Sequence, residues 1–298
     1  MLSMAKQPEG KLKYLEHQLP EGLLVDAAWL GKHGYSTSLR SQYVAAGWLE
    51  QPVRQVYRRP RGFLRWQQVV ISLQALLDYS LIVGGRTALE LQGYAHYLAH
   101  ETKEVHVYGP KRPPAWLNKL RVGVRFLYHN DLKLFRNEPV TRGLAGLSSN
   151  LKTARGSTTD TLHADLTVQP WGQWDWPLTL STPERALLEL LDELPGRESF
   201  HQVDKLIEGL PNLSPRRLQK LLAECHNVKV KRLFFFFADR HQHAWAKRIK
   251  KDDIDLGKGR RSLVKGGKFD STYQITVPEE LSGCVCRGWP PYVPTPRA

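Results

Sequence analysis

The chain has 298 residues, a formal net charge of +14, 41% apolar residues and three cysteines. That length suits two ordinary domains with packed cores, and neither a membrane span nor a secretory leader is expected, because no long apolar run and no charged-then-apolar start occurs. The charge favours a polyanionic partner, and cysteines as sparse as Cys225, Cys284 and Cys286 favour a reducing cytosol over a disulfide framework or a zinc site.

Residues 1–20 predict an opening helix with Leu12, Leu15 and Leu19 on one face. In "VDAAWLGKHG", Asp26 predicts an N-cap, Ala27, Ala28 and Leu30 a short face, and Gly34 a stop. "STSLRSQYVAAG" predicts the next helix, capped by Ser36 or Ser38 and ended by Gly47. Leu39, Tyr43 and Val44 turn one face inward and leave Arg40, Ser41 and Gln42 outside. The period then changes: "WLEQ", a turn over 52–55 and "VYRR" read as strand, turn, strand. Helix, helix, short hairpin is the order of a winged helix-turn-helix. Its second helix needs short polar side chains and a basic start to reach base edges, and its wing needs cations at phosphate height.

"WQQVVISLQALLD" predicts an apolar helix, and "LIVGGRTALELQGY" an apolar run into Gly84-Gly85 and a helix capped by Thr87, with Glu90 three residues on. "KEVHVYG" and "VRFLYHN" alternate as half-buried strands around the helix-forming "PPAWLNKL", and residues 141–163 read as an exposed loop. Farther on, "STPERALLELLDELPG" and "SPRRLQKLLAEC" predict capped helices and "SFHQVDKLIEGL" another helix, the first burying Ala186, Leu187, Leu190, Leu191 and Leu194. "VKVKRLFFFFADRHQHAW" leans to a helix, the stretch from 255 to 278 reads as a terminal hairpin, and a loose tail follows.

Gly84-Gly85 after a strand and before a helix could cradle a phosphate, and with Thr87, Ala88 and Leu89 it echoes nucleotidyltransferase folds. Those enzymes need paired carboxylates for magnesium, whereas the next strand offers Glu104, His106 and Tyr108; a tight turn with close helix packing is preferred. His241 and His243 lack further ligands at metal spacing, and Cys225 reads as core. No catalytic residue, metal site or cofactor is expected. The block 228–268 is dense in Lys and Arg with four Asp, so Lys229, Lys231, Arg232, Lys247, Arg248, Lys250 and Lys251 are candidates for nucleic-acid or partner contact, against the alternative of a solvated helix face.

With the winged-helix unit, "VGGRTALELQGY", "LTLSTPERALLELLDELP" and "VKVKRLFFFFADRH…W", the chain resembles the AbiEi family, antitoxins and transcriptional regulators of type IV toxin–antitoxin, or abortive-infection, systems of phage defence. The likeness runs from about residue 15 to about 278, and the last eighteen or so residues fall outside it. It implies a winged helix that represses the operon by binding inverted repeats, with possible self-association on DNA. It also implies a domain that opposes a nucleotidyltransferase toxin without a stable complex. The DNA-contact role carries over to Ser36, Thr37, Arg40, Ser41 and Gln42 on the helix and to Arg54, Arg58 and Arg59 on the wing.

The expected fold is α+β: a winged helix-turn-helix over 1–62, a mixed, mainly helical antitoxin domain with small β elements over 63–280, and a disordered tail over 281–298. The expected protein is cytoplasmic, with no membrane partner and no enzymatic activity. Two alternatives stay open, an RNA-binding module shielding the toxin's target and a nucleotidyltransferase-like enzyme.

Overall fold

The computed structural model describes residues 9–94, 103–136 and 165–282. The chain divides into two compact units, one up to Ala186 and one from Leu187 onward. The expected loop at 141–163 and nearly all of the expected tail lie outside the described residues.

The first unit opens with α1 (Glu9–Gln18), β1 (Leu24–Asp26), α2 (Ala27–Lys32), α3 (Thr37–Ala45), β2 (Glu50–Val53) and β3 (Val56–Arg58). The strands form an antiparallel sheet in the order β1-β3-β2, the topology of a winged helix. Leu15 and Leu19 of the first helical face are fully buried. Asp26 caps α2 as expected, its carboxylate accepting from Trp29 N at 2.7 Å.

Next comes α4 (Trp66–Ala75), buried almost all round, so its polar side chains must find partners inside. Ser72 Oγ accepts from Leu24 N of β1 at 3.0 Å and donates to Gln68 O. Gln74 replaces a missing strand neighbour: Nε2 donates to Leu81 O (2.8 Å) and Thr179 O (3.0 Å), and Oε1 accepts from Thr179 N (3.1 Å).

A five-stranded sheet follows in the order β6-β5-β4-β8-β7, built from β4 (Ile82–Val83), β5 (Glu104–Gly109), β6 (Arg125–Asn130), β7 (Leu166–Trp171) and β8 (Trp176–Ser181). The β5/β6 and β4/β8 pairs are parallel, and β4/β5 and β7/β8 are antiparallel. Between β4 and β5 lies α5 (Gly85–Leu91). Its cap is Gly84, and not Thr87 as the capping pattern predicts. Thr87 is buried one turn inside, where its hydroxyl accepts from His106 N of β5 at 3.1 Å, a bond that tertiary packing supplies.

The division between units falls within α6 (Pro183–Asp192). The second unit continues with α7 (Phe200–Glu208), α8 (Pro215–Glu224), α9 (Val228–His241) and the hairpin β9 (Lys268–Asp270) and β10 (Ile275–Val277). Ser199, Ser214 and Asn227 cap the last three helices with side-chain oxygens, and Pro215 occupies the first turn of α8, where no amide hydrogen is needed. Leu187, Leu190, Leu191, Val203, Leu221, Leu233 and Phe237 are at most 1% exposed and form the core of this unit.

Asp204 of α7 accepts from Arg240 Nε at 2.9 Å and from His241 Nε2 at 2.8 Å. Burial alone would raise its pKa, but these bonds and charges outweigh burial and hold it below the ordinary 3.8. A depressed carboxylate stabilises the fold above its unfolded pKa, and that contribution disappears as pH falls through the folded value. Asp204→Asn should therefore lower stability at neutral pH and flatten the acid limb below about pH 4 in urea titrations. An acid limb as steep as that of the parent would remove Asp204 from the linkage.

Candidate nucleic-acid interface

In the helix-turn-helix, Gly34 at φ +82 turns the chain between α2 and α3. Tyr35 follows, buried, with its amide donating to Leu30 O and its hydroxyl to Lys11 O of α1. Burial, followed by Tyr43 and Tyr14, pushes that phenol up to about 12, so it stays neutral. Tyr35 thereby ties the turn to α2 through its amide and to α1 through its hydroxyl.

Ser36 caps α3 by accepting from Leu39 N at 3.3 Å. The helix has no buried residue: Leu39, Tyr43 and Val44 are half-buried, whereas Thr37, Ser38, Ser41 and Gln42 are exposed. Gly47 at φ +75 ends the segment, and Trp48 N and Leu49 N both return to Tyr43 O. The wing turns at Arg54-Gln55, with Val53 paired to Val56 and Gln55 at φ +66. Gln55 O accepts from Ala27 N at 2.8 Å, which fastens the wing to the start of α2.

The eight predicted contact residues divide by what they already hold. Ser36 is committed to the cap. Thr37 Oγ1 accepts from Arg40 Nη2 at 2.7 Å, and Ser41 Oγ donates to Thr37 O. Arg40 is half-buried; it donates to Ala27 O at 3.0 Å and Ser36 O at 3.3 Å, and its guanidinium lies 5.8 Å from the Tyr57 ring centre. Those bonds make it a brace between α2, α3 and the wing. Gln42 and Arg54 are exposed and make no side-chain hydrogen bond among the described residues.

Arg58 and Arg59 already hold partners within the winged helix. Arg58 is 7% exposed; Nε pairs with Glu50 across the wing at 2.6 Å and Nη2 donates to Gly62 O. Arg59 donates to Glu16 O of α1 and to Leu19 O just after it, and pairs with Glu21 at 3.3 Å. Strand alternation puts Arg58 beside the buried face, and the acids of 16–21, distant in sequence, capture Arg59.

The basic block of the second unit divides in the same way. Lys229 Nζ donates to Asp192 O and Leu194 O, and Lys231 to Asp255 O. Arg232, 3% exposed, donates to four backbone carbonyls. Lys251 donates to Tyr273 Oη at 2.8 Å beneath its ring. Lys247, Arg248 and Lys250 remain exposed.

The features weighed for other chemistry are spent on packing. Gly85 has φ +52, and a Cβ there would lie 3.0 Å from Tyr108 Oη, so the glycine pair serves a close turn. Glu104 is exposed at the start of β5. His241 holds Asp204 and His243 Nε2 donates to Ile207 O, so both imidazoles serve α7. Desolvation pushes the buried Cys225 thiol up to about 11, which leaves it a poor nucleophile. Cys284 and Cys286 lie outside the described residues. Sequence reasoning did not single out the β5/β6 pair His106 and His129, whose rings stack with Nδ1 and Nε2 3.0 Å apart. No spacing signal joins residues that meet only through parallel pairing.

Among the described residues no helix is long and apolar enough to cross a membrane. A family model for the N-terminal domain of AbiEi antitoxins, transcriptional regulators, matches residues 8–100. A second, described as a transcriptional regulator, AbiEi antitoxin, of type IV toxin–antitoxin systems, matches residues 102–278. No curated protein matches the chain. The crystal structure of the RV2827C protein from Mycobacterium tuberculosis is similar at a TM-score of 0.50 and 15% identity over 89% of each chain, which speaks for the fold alone.

Proposed function

Because this chain belongs to the AbiEi family of antitoxins, transcriptional regulators of type IV toxin–antitoxin systems, we propose that its winged helix binds and represses the promoter of its own operon. In this reading α3 enters the major groove and the wing tip reaches the flanking phosphates. Inverted repeats would seat two copies. The chain from about 63 to 280 opposes a nucleotidyltransferase toxin, without a stable complex between the two proteins, and no catalytic step is assigned to it.

The observation that carries the reading is α3 itself. A helix held at one side by half-buried Leu39, Tyr43 and Val44 presents Thr37, Ser38, Ser41 and Gln42 to solvent, with no acid anywhere in its sequence. A carboxylate there would repel the duplex, and an uncommitted amide such as Gln42 can pair bidentately with adenine.

Gln42→Ala should weaken binding to the chain's own promoter by about 1–3 kcal/mol and leave random duplex unaffected. Arg54→Ala should weaken both duplexes and lower the salt slope by about one unit. Arg40→Ala should reduce both affinities together, because it loosens α3 on α2. Fluorescence anisotropy on both duplexes across a salt series checks all three. Unchanged promoter affinity in Gln42→Ala and Arg54→Ala alike would remove this face from the interface. Both variants should still rescue cells from the toxin, since both side chains are exposed on the winged helix. Point variants are preferable to cutting at residue 62, because Leu24 N is bonded to Ser72 Oγ across that position.

A further inference from the structure

We propose that the β9/β10 hairpin, with the loop leading into it, binds single-stranded nucleic acid, using Phe269 as a stacking platform for an unpaired base. The site uses none of the residues of the promoter-binding face and does not depend on that reading.

Residues 256–269 contain Lys258, Arg260, Arg261, Lys265 and Lys268 and no acid. All five cations are exposed, and none forms an ion pair among the described residues. Elsewhere in the basic block, Lys229, Lys231, Arg232 and Lys251 are bonded inside the unit. The bordering carboxylates are tied into turns, Asp255 accepting from Gly257 N and Asp270 from Tyr273 N. An approaching polyanion therefore meets five uncompensated charges.

The loop is also fixed in shape. Arg232 gathers the carbonyls of Leu256, Gly257 and Gly259 together with that of Gln274, which turns the loop's acceptors inward. Arg261 N donates to Gln274 O and Thr276 N to Arg261 O, so the loop is laced to β10. Positive φ at Gly257, Gly259 and Gly266 allows these turns. The cations are held on a preformed scaffold and lose little backbone freedom on binding.

Phe269 supplies what a purely electrostatic patch lacks. It pairs with Thr276, on the opposite face of the hairpin from the buried Ile275 and Val277, and is 39% exposed. The Arg260 guanidinium lies 4.8 Å from its ring centre. An exposed ring beside an arginine, among cations spaced along a loop, is the arrangement on which unpaired bases stack while the backbone is neutralised. A duplex hides its base faces and gains nothing from the ring, so the preference is for single strands.

The test uses the full chain and three labelled probes of equal length: a U-rich 12-mer RNA, the matching DNA strand and a blunt duplex of unrelated sequence. Phe269→Ala should weaken both single strands about tenfold and leave the duplex unchanged, as expected for loss of one stacked base. Phe269→Tyr should keep the parent affinity. Lys265→Glu with Lys268→Glu should lower the single-strand salt slope by about two units. The ratio of the two single-strand affinities identifies RNA or DNA as the source of the ligand. Failure of the parent chain to bind either single strand would overturn the proposal, as would equal losses on single strand and duplex in Phe269→Ala. Failure of promoter binding alone would leave these arms intact.

Discussion

Arg232→Met should loosen the loop from about residue 256 to 266 and destabilise the second unit by about 2–4 kcal/mol. The guanidinium is 3% exposed and donates to Leu256 O (2.7 Å), Gly259 O (2.6 Å), Gly257 O (3.1 Å) and Gln274 O (3.3 Å). A thioether fills similar volume but donates nothing, so these carbonyls must stay unsatisfied or the loop must open to water. Opening is the cheaper course for the exposed loop, because glycines at 257, 259 and 266 let it leave while the hairpin keeps its buried side chains. Lys231 at Asp255 O, Tyr273 bonded to Asp239 and receiving a hydrogen bond from Lys251, and the buried Ile275 and Val277 keep the ends of the segment in place. Limited trypsin digestion should cut at Lys258, Arg260 and Arg261 many times faster than in the parent, with a lower thermal midpoint. Arg232→Lys should fall between the two, since an ammonium cannot reach four acceptors spread over a fork. A digestion rate and midpoint equal to the parent's would show that the loop folds without its buried cation.

This residue also marks where reading the chain alone loses its grip on the site. Lys and Arg look alike in sequence whether they meet solvent or a cluster of carbonyls. Arg232 and Lys231 stand in a block of high positive charge, and only the return of residues 255–274 shows that they are consumed. Arg58 and Arg59 of the wing likewise have partners the sequence hides, Glu50 and the carbonyls of Glu16 and Leu19. The local order was legible. Caps at Asp26, Ser36 and Ser214, the glycine stops at Gly34 and Gly47, and the two-strand wing all follow from nearest-neighbour chemistry, which sequence records directly. The phenylalanine run at 234–237 resolves as helix because its neighbours bury it on all sides, so that its β propensity decides nothing.

The β7/β8 hairpin over 166–181 has no counterpart among the sequence-based expectations. Pro170 and Pro177 interrupt its strand pattern, and proline ordinarily argues against a paired strand. In the structure the two prolines are register partners across the hairpin, and Trp171 packs near Trp176 beside them. The β8 strand is buried throughout, and Gln74 of α4 supplies the pairing its backbone needs at Thr179. Such a solution involves residues about a hundred positions apart, beyond any local pattern.

Leu190→Asp should abolish rescue from the toxin while leaving promoter binding in place. Leu190 is completely buried in α6, within the part of that helix that belongs to the second unit. Losing its side chain from the core costs about 1.5–3 kcal/mol, and burying an unpaired carboxylate costs several more. Together these rival the whole stability of an ordinary domain, about 5–15 kcal/mol. The substitution should therefore unfold the second unit rather than adjust it. Leu190→Met conserves volume and should cost under about 1.5 kcal/mol, so it ought to rescue like the parent. The winged helix has its own buried residues, Leu15, Leu19, Leu24, Leu30, Tyr35 and Val56, and none of them depends on Leu190 for burial within that sheet and its helices. Rescue assays, soluble protein level and promoter anisotropy on the same three chains decide the matter. Rescue by Leu190→Asp at parental level would place the antitoxin action outside the second unit. Loss of promoter binding in a chain whose first unit still shows its protected amides would mean that repression needs both units, and the division of labour proposed here would be wrong.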